Sequence, residues 1–139
     1  MCRYLRNMNT KTDALDEVAT LPVYRLSDMA DCPEPSDETG RLFLVSIRND
    51  FVDRAKHGYE DEDELIHEVA DNAPSLYTHR MWCEFVELCA YREDVSDYVT
   101  NDTDMEQRAR VALYMIAERL VRRLVEELAD IENEEEEVN

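Results

Sequence analysis

The side chains with which this sequence could do chemistry are His57, His67 and His79, four cysteines and a large excess of carboxylates. Cys2, Cys32, Cys83 and Cys89 form no C-x-x-C pair, which speaks against a zinc ribbon or a thioredoxin-type centre. Cys83 and Cys89 fall in an apolar pattern and read as core residues. His67 and Asp71 stand four apart, as do Ser75 and His79. A transition metal needs several convergent ligands, and only His67, Glu68 and Asp71 are close in sequence. The acidic runs lack the alternating oxygen ligands around a glycine of an EF-hand loop. No G-x-S-x-G and no Gly-rich phosphate loop occurs. With 34 Asp and Glu, no single pair of carboxylates stands out as a glycosidase-type acid and base. We therefore expect no catalytic residue, no metal and no cofactor. An enzyme working through some carboxylate cluster is the third-ranked reading, and a bound metal would be its mark.

The carboxylates carry more meaning together than singly. They outnumber the 15 Lys and Arg so far that the formal net charge is −19. Direct nucleic-acid binding needs a basic footprint and is excluded, and so is an anionic membrane surface. Basic partners are favoured; a merely solubilising surface is the plain alternative. An apolar fraction of 44% over 139 residues supports one folded domain with a modest core. The absence of a signal-peptide pattern, and of an apolar run near ~18 residues, leads to the expectation of a cytoplasmic protein with reduced thiols.

The densest charge is Glu60–Glu64, five acids in a row, followed at once by the amphipathic Leu65, Ile66, Val69 and Ala70. Asp61 is the expected N-cap with Glu64 at N3, and acids in a first turn complement the helix dipole. This helix should stop near Asn72, before Pro74. The one before it, Arg41–His57, shows Phe43, Ile47, Phe51 and Ala55 at a four-residue period, with Gly58 as its terminator. Ser75 is the expected cap of a helix striped by Tyr77, Met81, Phe85 and Leu88, widened by Trp82 and Cys89, and ending around Tyr91. Residues 92–103 read as a polar connection.

A last helix over Asp104–Glu132, roughly 40 Å long, carries Met105, Ala109, Ala112, Ile116, Leu120, Leu124, Leu128 and Ile131. So wide an apolar face exceeds what three short helices easily cover. Ile116, Leu120, Leu124 and Leu128 are thus the expected interface of a homodimer. Its Arg108, Arg110, Arg119, Arg122 and Arg123 partly neutralise it, through Glu106–Arg110 and Glu118–Arg122 at i, i+4. Residues 1–40 read as an irregular arm, in which Asp13–Ala19 can form a short helix, Thr20–Leu26 has the composition of a short edge strand or an extended arm, and Asp31–Gly40 is a linker. Residues 133–139 read as a disordered acidic tail. The expected fold is all-α: three shorter helices and one long C-terminal helix in a domain over 41–132.

B-form DNA carries one negative charge per ~1.7 Å of its axis. Carboxylates on rigid helices can approach that density and compete for a basic groove with little loss of side-chain freedom. The candidates are Asp50, Asp53, Glu60, Asp61, Glu62, Asp63, Glu64, Glu68, Asp71, Glu84, Glu87, Glu93, Asp94 and Asp97.

At Ile66–Tyr77, I-H-E-V-A-D-N-A-P-S-L-Y, the chain resembles the Ocr-like family of phage antirestriction proteins. That family has I-H-x-x-A-D-N-A followed by Pro and Tyr, after a very acidic segment. Ile66, His67, Ala70, Asp71, Asn72, Ala73 and Tyr77 match it, and Pro74 stands one residue earlier. The likeness extends as pattern over residues 41–139, and the first 40 residues have no counterpart. The resemblance implies an all-α, dimeric mimic of bent B-form DNA. Such a mimic blocks the DNA groove of type I restriction–modification enzymes or other host DNA-binding defence complexes. It implies no catalytic residue, and it assigns His67, Asn72 and Tyr77 to the scaffold. If phage-encoded, the protein would act in the host cytoplasm. The alternative is an acidic adaptor that binds a partner through an apolar groove near Trp82 and Tyr91.

Overall fold

Why the last helix stays rigid over its length follows from what covers it. In the computed structural model, which describes residues 13–32, 35 and 38–137, this helix (α7, Met105–Glu137) is the spine of the molecule. Before it come residues 13–18 (α1), Val23–Met29 (α2), Glu38–His57 (α3) and Glu62–Asn72 (α4). A 3-10 turn at Ala73–Leu76 then leads to His79–Cys89 (α5) and Glu93–Ser96 (α6). The described residues hold no strand, and the fold is all-α.

Helices α2 to α6 all pack on α7. Its residues Ala109, Ala112, Leu113, Ile116, Ala117, Leu120, Val121, Leu124, Leu128 and Ile131 are buried within the single chain. This corrects the expectation for Ile116, Leu120, Leu124 and Leu128, which are at most 7% exposed and so present no open face to a second copy. The extra cover comes from the first forty residues. Ala14, Leu15, Val18, Leu21, Leu26, Met29 and Ala30 all belong to the common core, so the described part of 1–40 is packed structure and not an arm. Within it, Val23–Met29 is a helix where a short edge strand or an extended arm was expected. Pro22 sits just before the first helical residue, where its missing N–H costs nothing. Leu26, Met29 and Ala30 then recur at helical spacing.

Helix α3 buries Phe43, Leu44, Ile47, Phe51, Val52 and Ala55, as its period requires. It ends at Gly58, whose φ of +92° favours glycine although nothing crowds its Cβ position. Helix α4 buries Leu65, Ile66, Val69 and Ala70, each large side chain contributing ~2 kcal/mol. Asp61 caps α4 by accepting from Asp63 N at 3.0 Å. The cap of α5 is Thr78, whose hydroxyl accepts from Met81 N at 3.1 Å, and not Ser75. Ser75 lies inside the 3-10 turn that follows Asn72 and donates to Asn72 O at 2.7 Å. On α5 only Phe85 is fully buried, stacked on Phe43 at 4.3 Å and on Trp82 at 5.5 Å, while Leu88 points outward.

The connection after α5 is more ordered than its polarity suggests, because α6 buries Val95. Buried Arg108 also stitches it down, donating to Ala90 O, Ser96 Oγ and Thr100 O. Met105 is exposed, and Asp104 caps α7 by accepting from Gln107 N at 2.8 Å. The helix runs on through residues 133–137, where a disordered tail was expected; Ile131 is buried and holds its last turns to the core. Residues 1–12 of the arm with Cys2, positions 33, 34, 36 and 37 of the linker, and residues 138–139 of the tail lie outside the described residues.

Candidate partner-binding surface at the α3–α4 corner

Two antiparallel pairings bring the acids together. Arg54 of α3 reaches Glu68 of α4 at 3.0 Å, and Asn72 donates to Asp50 at 3.4 Å, so α4 runs back along α3. Arg122 of α7 reaches Asp63 at 2.7 Å, and Tyr114 meets His67 at 3.3 Å, so α4 also runs antiparallel to α7. The turn at Gly58 thus forms a corner beside the distal half of α7. Residues 50–68 place eight acids there against Arg54 and Lys56.

Two adjoining open grooves mark this corner. One, of about 450 Å³, is lined by Asp50, Asp53, Arg54, His57, Glu68 and Asn72. The other, of about 250 Å³, is lined by Glu60, Asp61, Glu64 and Glu68. They share Gly58, Tyr59 and Leu65 as a common floor. Burial pushes the Tyr59 hydroxyl up, with Glu62 and Glu132 adding to the effect. Glu132 therefore brings a further carboxylate of α7 to the same corner. Sequence spacing held no sign of Tyr59, Glu132 or the bridging Arg122, because all three meet only through the helix packing.

The fourteen candidate acids divide by what already holds them. Asp50 is bound by Arg54 at 3.1 Å, Glu68 by Arg54, and Asp63 by Arg122, with Glu62 3.6 Å from Arg122. Glu84 takes Arg80 and the Thr39 hydroxyl. Asp94 is held by Arg92 at 2.9 Å and Arg119 at 3.2 Å. Burial pushes the Asp94 carboxyl up, but the two guanidiniums outweigh it and keep it below the usual carboxylate range. Asp61 keeps its capping bond while exposed. Glu60, Glu64, Asp71, Glu87, Glu93 and Asp97 are exposed and carry no ion pair among the described residues. At Asp53, the His57 Nδ1–H donates to its backbone carbonyl at 2.8 Å, and the carboxylate 4.0 Å away faces outward.

The corner therefore gathers Asp50, Asp53, Glu60–Glu64 and Glu68, of which Asp53, Glu60, Asp61 and Glu64 have no cationic partner other than His57. Glu84, Glu87, Glu93, Asp94 and Asp97 lie on α5 and in the α6 segment. Asp71 opens onto a different groove, of about 670 Å³, with Tyr98, Val111, Tyr114 and Met115. The cations show a complementary pattern. Each of the twelve Lys and Arg among the described residues makes an ion pair or hydrogen bond within the chain, Arg48 for instance donating to Leu21 O at 2.7 Å. Among the described residues, the charged side chains left without any partner are carboxylates.

Helical geometry sets the density this surface reaches. Glu64 and Glu68 lie about 6 Å apart along the axis, against one phosphate per ~3.4 Å of each DNA strand. A single stripe of α4 is thus about half as dense, and the neighbouring acids of α3, the turn and α7 are needed to approach the duplex value. No group of three or more His, Cys, Asp or Glu able to hold a metal occurs among the described residues. His67 is spent on Tyr114, its ring 4.9 Å away, and His79 lies 3.6 Å from Cys83 Sγ. Among the described residues, no helix is long and apolar enough to cross a membrane. No protein-family model, curated protein or solved structure matches this chain.

Proposed function

We propose that the protein is an acidic mimic of DNA that inhibits a host DNA-binding defence enzyme by occupying its basic groove, a type I restriction–modification enzyme being the target class suggested by the Ocr-like element. The observation that carries the reading is the α3–α4 corner. There, carboxylates without Lys or Arg partners are gathered on two antiparallel helices and the turn that joins them, while the cations of the described residues are engaged internally. Such preorganised charge loses little side-chain freedom on binding, and both partners release counterions. The reading needs no catalytic residue and no cofactor.

Capture of partners from a host lysate at low and at high salt tests it. A DNA-binding enzyme held at low salt and released by high salt is the expected result. Replacing the block together (Glu60→Gln, Asp61→Asn, Glu62→Gln, Asp63→Asn, Glu64→Gln) should abolish inhibition of that enzyme with the fold intact, because asparagine still caps α4. A folded variant that inhibits fully would remove the corner from the mechanism.

A second reading, an adaptor with an apolar binding groove, draws on the groove between α4 and α7, where Tyr98 is 71% exposed beside Tyr114. Trp82 is not part of that groove; it stacks on Phe85 under the Arg110 guanidinium. Salt-tolerant capture lost in Tyr98→Ala would favour this reading.

A further inference from the structure

The groove of about 670 Å³ between α4 and α7 has a chemistry that the corner lacks. Two aromatic rings, Tyr98 and Tyr114, line it together with apolar surface from Val111 and Met115. His67 meets Tyr114 at 3.3 Å, and Asp71 stands one helical turn further along the same edge of α4. The charged side chains of the lining are Asp71, Glu118, Arg110 and Arg119, and they are not equally available. Arg110 is held by Glu106 at 3.3 Å and lies over Trp82 at 5.5 Å, while Arg119 is held by Asp94 at 3.2 Å. Asp71 carries no ion pair among the described residues. Glu118 shares Arg122 with Asp63 and Glu62. The groove therefore offers carboxylates beside aromatic rings, with its own guanidiniums already engaged. Their field reaches the Tyr114 hydroxyl, which burial pushes up and which Glu118, Asp63 and Asp71 push further, against Arg122.

We propose that this groove takes an arginine side chain of a basic protein partner, with the guanidinium against Tyr98 and Tyr114 and its N–H groups donating to Asp71 and Glu118. Charge complementarity selects the occupant. An anion would be repelled by Asp71 and Glu118, and a purely apolar side chain would bury them without compensation. Arginine suits both halves of the lining. Its methylene stem packs on apolar surface, and its planar head stacks on an aromatic ring while donating to carboxylates. Lysine brings the same charge, but its strongly hydrated ammonium lacks the planar fork. The chain uses this pairing internally, with Arg108 over Tyr91 at 5.0 Å and Arg110 over Trp82 at 5.5 Å. Asp71 lies about two turns along α4 from Glu64, so one basic surface can engage the groove and the corner together. Assigning the arginine to the inhibited enzyme rests on the inhibitor reading, whereas the preference of the groove for arginine does not.

The test uses the isolated full-length protein and no enzyme, so failure of the groove is read separately from failure of inhibition. A blocked Ala-Arg-Ala tripeptide and its citrulline counterpart, close in shape but uncharged, are titrated in turn while amide resonances are followed. The arginine peptide should give saturable shifts at Asp71, Tyr98, Val111 and Tyr114, and the citrulline peptide should bind about tenfold more weakly. Tyr98→Ala and Asp71→Asn, both at exposed positions, should each weaken the arginine peptide about three- to tenfold. Neutralising Glu60–Glu64 together should leave the groove shifts in place. The comparison of the two peptides on the unchanged protein keeps the test valid if a substitution disturbs the fold. Arginine-induced shifts centred on residues 50–68, the absence of saturable shifts in the groove, equal affinity for the two peptides, or unchanged affinity in both folded variants would overturn the proposal.

Discussion

Arg122 of α7 donates to Asp63 in the first turn of α4 at 2.7 Å, linking residues 59 apart in sequence. The same guanidinium lies 3.6 Å from Glu62 and 3.8 Å from Glu118. Three carboxylates hold one cation, and their fields raise its already high pKa, the Asp63 hydrogen bond being the largest cause. The arrangement joins the acidic corner to the spine, yet it also subtracts a positive charge from the surface offered to a partner.

Arg122→Ala should therefore separate stability from binding. The bridge is largely exposed, so its loss should cost less than about 1 kcal/mol, read as a small drop in melting temperature that shrinks in high salt. Affinity for a basic partner, or for an oligolysine probe, should rise, because Glu62 and Asp63 are released. Weaker binding from a folded variant would mean that Arg122 positions the acids more than it masks them.

Arg108 has the opposite character. It is 7% exposed and serves three acceptors, Ala90 O, Ser96 Oγ and Thr100 O, with Tyr91 stacked at 5.0 Å. Arg108→Met keeps the apolar stem and strands those acceptors. Each unmade buried hydrogen bond costs ~1–3 kcal/mol, tempered here by partial solvent access at two of them. A loss of about 2–4 kcal/mol in chemical denaturation is expected. Arg108→Lys should recover only part of it, since an ammonium lacks the planar fork. Full recovery by lysine would show that charge alone holds the 90–104 connection.

Periodicity made the helices legible and left their partners hidden. Phe43, Ile47, Phe51 and Ala55 announced α3, and Leu65, Ile66, Val69 and Ala70 announced α4, because burial on one face imposes a 3.6-residue repeat. The same repeat on α7 showed a wide apolar face but not what covers it. The cover includes Leu15, Val18, Leu26 and Met29, in a stretch whose Pro22 and short length conceal the pattern. For the site, Glu60–Glu64 stood out by composition alone. Which acids are neutralised did not, since Arg54–Glu68, Arg122–Asp63 and Arg119–Asp94 are tertiary contacts between helices. Their spacing in sequence carries no signal.

Thr78 offers a direct check on the reassigned cap of α5. Its hydroxyl accepts from Met81 N, whereas Ser75 serves the preceding turn. Thr78→Ala should destabilise the protein by ~1 kcal/mol and shorten α5 at its start, seen as faster amide exchange at Arg80 and Met81. Ser75→Ala should leave those two amides unchanged. Faster exchange in Ser75→Ala with none in Thr78→Ala would return the cap to Ser75.

Asp94 ties the α6 segment to α7 through Arg92 and Arg119, and its folded-state pKa lies below the unfolded value of ~3.9. For a depressed carboxylate the stabilisation is present above the unfolded pKa and is lost as pH falls through the folded one. Asp94→Asn should therefore lower the melting temperature at neutral pH. The gap to the unchanged protein should start to narrow as pH drops below ~4 and close once pH falls below the folded-state pKa, where both chains carry a neutral group at this position. Melting curves of the two proteins at pH values on both sides of that range make the comparison. A gap independent of pH would trace the effect to the geometry of the substituted amide and not to the charge that the two arginines hold.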